Sequence, residues 1–364
     1  MYYSVTSSHK IVIINEASLE VLNLKANKKP NNIALSVIIC AKNEAENLKK
    51  NLPKMISQDY KDFEIVLIND SSSDETLEIF ESFESFAKTH SLITIVNVKS
   101  IEQFWGNKKY ALTLGIKATK NEFLVFTDAD CEPSSQFWLE ELSSHFSNQK
   151  SIILGFGAYK KVKYSFLNML IRFETLMTAV QYFSYAKAGI PYMGVGRNLA
   201  YRKELFFNNG GFKKHILIKS EGDDLFINEI ANAKNTSVCI SKNSFTISEP
   251  KRSFKDWTTQ KRIHISTSKH YKPLHKFLLG LFYISQLMFW GFAFVLLSVF
   301  FQWEIVLGIL CFRILLQWVV VGKSAYKLES RDLAFAAPFL EVFLISFQLI
   351  IFSANLISKP KHWK

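Results

Sequence analysis

Cysteine is scarce in this chain, and what there is forms no motif. Cys40, Cys131, Cys239 and Cys311 lie far apart with no C-x-x-C among them. That argues against a disulfide or zinc framework and fits a reducing compartment. The first 34 residues contain no apolar run long enough for the h-region of a signal peptide, and residues 27–32 read as a polar linker. Nor does a nucleic-acid motif accompany the formal charge of +12 and the pI near 9.3. The lysines are scattered rather than interleaved with aromatics, so the acidic partner is a nucleotide or an anionic membrane surface, with no nucleic acid. Charge itself is missing from residues 277–301, 25 positions without Asp, Glu, Lys or Arg. Crossing a hydrocarbon core takes about 20 residues.

What is present is centred on residues 122–133, E-F-L-V-F-T-D-A-D-C-E-P. Its apolar run reads as a buried strand that ends in two carboxylates. Side chains two apart in an extended chain point the same way, so Asp128 and Asp130, separated by small Ala129, can face one hard divalent cation, Mg²⁺ or Mn²⁺. The structural alternative is a turn, since Asp oxygens also cap backbone N–H groups where strands end.

Before this stretch, short β-rich runs alternate with helical ones. Strands are expected at 35–40, 63–68 and 93–98, and helices from about 45 to 57, from a first turn that carries Asp74 and Glu75, and over 108–118. Such alternation implies a parallel sheet that binds ligands outside its carboxyl ends, where Asn43, Glu44, Asp70 and Asp128 all fall. Each has an ordinary role as well. Glu44 could only cap its helix, Asp70 could only make an Asx-turn, and Lys108 could be a solvated surface lysine.

Four segments in order, L-S-V-I-I-C-A-K-N-E, I-N-D-S-S-S-D, G-N-K-K-Y-A-L and F-T-D-A-D, resemble the nucleotide-sugar half of glycosyltransferase family 2, inverting enzymes of the GT-A fold. The resemblance implies that Asp70 contacts the nucleobase. It places Asn43 and Glu44 in the nucleotide pocket with Lys108 near it, and makes Asp128 and Asp130 the metal-binding D-x-D pair.

The acceptor half is expected to follow. Residues 150–162 read as a strand, and 164–187 as a helix with apolar residues at helical spacing. Residues 189–198, rich in turn formers, resemble the family's acceptor-side segment before a strand and the G-G-F turn at 210–212. The cluster E-G-D-D-L-F at 221–226 opens a helix. Taken alone it is an N-terminal acidic turn. In register with the family's E-D motif, Asp224 becomes the general base and Asp223 its neighbour, two carboxylates that hinder each other's ionisation. Downstream, W-T-T-Q-K-R-I-H at 257–264 resembles the Q-x-x-R-W segment imperfectly. Counted from Gln260, the Arg position holds Ile263 and the Trp position His264, with Arg262 one residue early. Gln260 and Arg262 are carried to the nucleotide side on that resemblance, while the alternative is a basic helix lying on anionic lipid.

Membrane spans are expected at 277–301, 305–322 and 333–357. The positive-inside rule puts the lysine-rich part on the cytoplasmic side of the inner membrane. Three crossings, however, would leave Lys359, Lys361 and Lys364 outside, so either the tail breaks the charge bias or one segment is re-entrant. Arg313 and Glu341, lone charges in adjacent antiparallel spans, are expected to pair. The reading is an α/β chain: an N-terminal extension over 1–34, a GT-A-like nucleotide-sugar-binding domain over 35–250, a basic interfacial helix over 251–273, a C-terminal α-helical membrane anchor over 274–358 and a basic tail. Its expected activity is metal-dependent, inverting hexosyl transfer from a nucleotide diphosphate sugar, UDP-sugar favoured, to a lipid, lipid-linked or polysaccharide hydroxyl. A processive synthase and a non-catalytic membrane scaffold are the alternatives.

Overall fold

The computed structural model describes residues 33–87, 92–99, 108–218 and 222–358. The polar linker at 27–32, Gly106, Asn107, Glu221 and the tail lysines lie outside the described residues.

Three apolar runs become the parallel strands β1 (Leu35–Ala41), β2 (Phe63–Asp70) and β3 (Ile93–Val98), alternating with helices α1 (Ala45–Ile56), α2 (Thr76–Ala87) and α3 (Lys108–Ala118); β4 (Phe123–Asp128) then pairs in parallel with β1. Val37, Ile38, Ile39 and all of Ile65–Ile68 are buried because helices cover both faces of the sheet. After β5 (Cys131–Pro133) and α4 (Trp138–Ser143) come β6 (Ile152–Leu154), β7 (Gly157–Tyr159) and the long helix α5 (Phe166–Lys187), whose first turn is capped by Ser165 accepting the Asn168 N–H at 3.2 Å. Then follow β8 (Leu199–Arg202), α6 (Lys203–Asn208), α7 (Asp223–Ile230), β9 (Thr236–Val238) and β10 (Thr246–Ser248).

Two expectations are corrected here. The sheet is mixed: its order is β3-β2-β1-β4-β8-β6-β9, and β8 runs antiparallel to both β4 and β6. Strand periodicity carries no information on the direction of a partner, so the reversal was not visible in sequence. Residues 150–162 are not one strand but two, β6 in the large sheet and β7 in a small sheet of order β5-β10-β7. The break falls at Gly155 and Phe156. There Asn198 Nδ2 donates to the Phe156 carbonyl at 2.9 Å and the Tyr182 hydroxyl to the Gly155 carbonyl at 2.7 Å, taking the groups a continuing ladder would use.

One hydrophobic core lies under α1, α2 and α4. The other lies under α3, α5 and α7 and runs on without interruption into the C-terminal helices through Val321, Ala325, Leu340 and Leu344. Those helices are α8 (Phe254–Thr267), α9 (Pro273–Ser298), α10 (Trp303–Lys327) and α11 (Ala337–Ile357). The last three are long and apolar enough to cross a membrane. Their bounds differ from the expected spans. α10 continues past Lys323 to Lys327, and α11 starts only after a 3-10 turn at Arg331–Leu333, with Pro338 in its first turn. Arg313 and Glu341 meet as expected, at 2.8 Å.

Candidate active site

The loops that leave β1 and β2 are stitched to each other at the carboxyl rim of the sheet. Asn43, in the left-handed region at φ 57°, accepts the Ser73 N–H at 2.8 Å and gives its own N–H to Ser72 Oγ at 3.0 Å. The next two amides go to Thr76 Oγ1 at 2.9 Å and Asp74 Oδ2 at 3.2 Å. Glu44 is therefore not a side-chain cap of α1; its carboxylate accepts from Asn47 at 2.6 Å. Burial raises the Glu44 pKa against that hydrogen bond, and the negative charges of Asp130 and Asp128 add to the rise. Asp70, the last residue of β2, is buried, and burial raises its pKa while Lys42 and Lys108 oppose the shift.

Asp128 closes β4, with Lys108 Nζ 2.8 Å from its Oδ1. Asp130, on the turn into β5, has its pKa raised first by burial and then by the Asp128 charge, with Arg197 opposing. Oxygens of Asp128 and Asp130 and the Cys131 sulfur lie within 4.8 Å of one another. The thiol is fully buried against Ser248 Oγ at 2.9 Å, and burial keeps it protonated far above its ordinary range. A soft, protonated sulfur is no ligand for a hard cation, whereas two converging carboxylates are. The donor set thus fits Mg²⁺ or Mn²⁺ on Asp128 and Asp130.

Across the rim, α7 begins at Gly222, held at φ 95°. Asp223 is buried with its carboxylate against Gly196, where a Cβ would fall 2.1 Å from Oδ2, so a side chain there would have to displace the carboxylate. Asp223, Gly196, Asp128, Lys108 and Cys40 line one narrow cleft. Asp224 is only partly buried and turns elsewhere: its Oδ2 accepts the Tyr271 hydroxyl at 3.1 Å. Tyr271 ends the segment before α9, and Lys272 gives its N–H to Asn228 of α7 at 2.9 Å. The helix that carries both aspartates is thereby fastened to the start of the first apolar helix.

Sequence reasoning passed over Lys109. Its side chain is 1% exposed, lies along Gly222 and donates to the Ile218 carbonyl. Burial lowers its pKa to about 8 although Asp224 and Asp223 favour the charge. The signal was the doubled lysine at the start of α3: adjacent helical residues face directions about 100° apart, so only one could meet Asp128.

Arg262 is not brought to this rim. Arg262 commits its guanidinium to the end of α11, with Asn355 Oδ1 at 2.9 Å and the Ser358 carbonyl at 2.7 Å. Among the described residues no hydrogen bond joins Gln260 to the site. The one-residue offset from Q-x-x-R-W has the effect that helical geometry dictates, turning the arginine to a different face.

A mixed sheet with helices on both faces, carboxylates at the ends of its parallel strands and a second acidic pair opening a helix across the rim define a GT-A-type domain. The mannosyltransferase PcManGT from Pyrobaculum calidifontis, solved in complex with GDP-Man and Mn²⁺, shares the fold over 89% of this chain and 94% of its own, with a TM-score of 0.53 at 17% identity. Residues 36–208 match the sequence model for glycosyl transferase family 2. Among curated relatives, a 4,4'-diaponeurosporenoate glycosyltransferase of Staphylococcus haemolyticus is 34% identical over 32% of this chain and 29% of its own length. A UDP-Glc:alpha-D-GlcNAc-diphosphoundecaprenol beta-1,3-glucosyltransferase of Escherichia coli is 27% identical over 40% of this chain and 50% of its own. The chain thus spans half or less of the length of these curated relatives.

Proposed function

We propose that the chain is a membrane-bound glycosyltransferase that moves a sugar, with inversion, from a nucleotide diphosphate sugar to a hydroxyl of a lipid or lipid-linked acceptor. The observation that carries this reading is the junction at Tyr271: the acidic opening of α7 sits beside the donor cleft and is fastened to the start of the first apolar helix. An acceptor anchored in lipid would meet the site there. The two curated relatives act, by their names, on a diaponeurosporenoate and on a diphosphoundecaprenol-linked sugar.

Asp70, at a buried strand end, would accept from the nucleobase, with Asn43 and Glu44 shaping the pocket beside it. A hard divalent cation on Asp128 and Asp130 would supply charge neutralisation for the departing diphosphate. Lys108, beside Asp128, adds a fixed positive charge on the same side. Asp224 would take the proton of the acceptor hydroxyl as it attacks the anomeric carbon from the face opposite the diphosphate. Asp223, packed on Gly196, would form the inner wall and keep Asp224 turned toward the acceptor.

The test is a panel of nucleotide sugars on purified membranes, with product partitioned into organic solvent. One labelled sugar in the organic phase is the expected result. Labelled polymer in the aqueous phase would replace this reading with a processive synthase, and no transfer or hydrolysis from any donor would leave a scaffold.

A further inference from the structure

Helices α9 and α10 form a hairpin that leaves the domain and returns to it. At the start of α9, His275 Nδ1 lies 2.9 Å from Asn228 Nδ2 on α7. At the end of α10, Val321 and Ala325 are buried in the domain core. The tip between the two helices is open, with Phe300 and Phe301 exposed.

Helix α11 departs from this pattern. Ahead of it, Arg172 of α5 grips Asp332 with two hydrogen bonds of 2.7 and 2.8 Å, and Lys161 adds a third contact at 2.8 Å. The near end is therefore held to the domain. Midway, Trp257 of α8 stacks on Phe347 with ring centroids 4.3 Å apart and planes 10° from parallel. At the far end Arg262 of α8 binds Asn355, Ala354 and Ser358, and Asn355 Nδ2 returns a bond to the Arg262 carbonyl at 3.0 Å. α8 itself belongs to the domain, since Lys261 pairs with Glu174 of α5 at 2.6 Å. A helix of 21 residues is about 32 Å long, so one that crossed from Asp332 would end near the hairpin tip, out of reach of α8.

We propose that α11 does not cross the membrane but lies along its surface on the domain's side, with Phe339, Ile350, Phe352, Leu356 and Ile357 sunk into that leaflet. These side chains are all more than half exposed in the chain, which is what a lipid-facing row requires. The partner is the leaflet itself. The row continues from the apolar hairpin, and Lys251, Arg252, Lys255, Lys269 and Lys276 of the adjoining basic segment suit anionic headgroups. Two crossings instead of three return Lys359, Lys361 and Lys364 to the domain's side, so the charge bias holds throughout.

The test is labelling by a membrane-impermeant maleimide in sealed vesicles of both orientations, using full-length chain with Cys311→Ser. It needs no transferase activity, so it stands apart from the functional proposal. Lys364→Cys should react in the same vesicles as Lys120→Cys on the domain, and Gln302→Cys at the hairpin tip in the opposite ones. The six residues after Ser358 reach about 20 Å at most, too short to recross a core of about 30 Å. Lys364→Cys reacting together with Gln302→Cys would overturn the proposal. A spin label on Ile350→Cys should be relaxed by lipid-dissolved oxygen at shallow depth. A disulfide between two copies through Ile350→Cys would instead assign the row to a second chain and equally refute the lipid contact.

Discussion

Asp128 and Asp130 leave a strand end two positions apart, whereas Asp223 and Asp224 are neighbours in the first turn of a helix, and the backbone decides what each pair can face. The strand-end carboxylates converge, within 4.8 Å together with Cys131. The helix-start carboxylates diverge by about 100°, one onto Gly196 in the narrow cleft and the other onto Tyr271. The doubled lysine of α3 divides in the same way. Lys108 meets Asp128, while Lys109 is buried where Asp224 and Asp223 act on its charge. One acidic pair can thus work as a single ligand set, whereas the other faces two separate surroundings.

The largest effect should come from the diverging pair. Asp224→Asn should lower single-turnover transfer about 10³-fold, within the range for a lost general base, while nucleotide binding stays near wild type. If Asp223→Asn is dead and Asp224→Asn active, the roles within the pair are exchanged. The converging pair should behave as a unit. Asp128→Ala and Asp130→Ala should each weaken donor binding by about tenfold or more, and the double variant should be little worse than either single one. Full binding in excess chelator would remove the cation from the site.

Smaller effects sharpen the contrast further. Tyr271→Phe removes one hydrogen bond to Asp224, so transfer should fall about fivefold, equivalent to about 1 kcal/mol. Because that bond favours the ionised carboxylate, the acid limb of the pH–rate profile should also move to higher pH; an unmoved limb would detach Tyr271 from the base. The smallest effect concerns Lys109. Its pKa is about 8 in the folded chain against 10.5 for the free side chain, so between those values the unfolded chain holds a proton that the folded chain lacks. Stability from this group is lowest below pH 8 and rises with pH across the window. Thermal unfolding of Lys109→Met should lack that rise, and matching pH profiles for variant and wild type would refute the assignment.

Legibility followed the range of the interactions. The alternation of strands and helices from 35 to 128 could be read because burial on both faces demands continuous apolar runs. The D-A-D pair could be read because period two needs nothing beyond the strand. The split of 150–162 could not, since it depends on Asn198 and Tyr182, both distant in sequence. Arg262 was misplaced for a related reason. Its true partners, Asn355 and Ser358, lie more than 90 residues away, in a helix whose orientation no hydropathy profile contains.

By itself the sequence determined the α/β domain, the strand-end carboxylates, the acidic start of α7 and three helices too apolar to be left in water. Those features rest on local periodicity and on the transfer cost of side chains, which any short window of the chain already contains. The tertiary structure alone decided the antiparallel insertion of β8, the separate directions of Asp223 and Asp224, the burial of Lys109 and the fastening of both ends of α11 to the domain. Each of these depends on which side chains find one another across the fold, and a helix of given composition is equally apolar whether it crosses a membrane or lies along it.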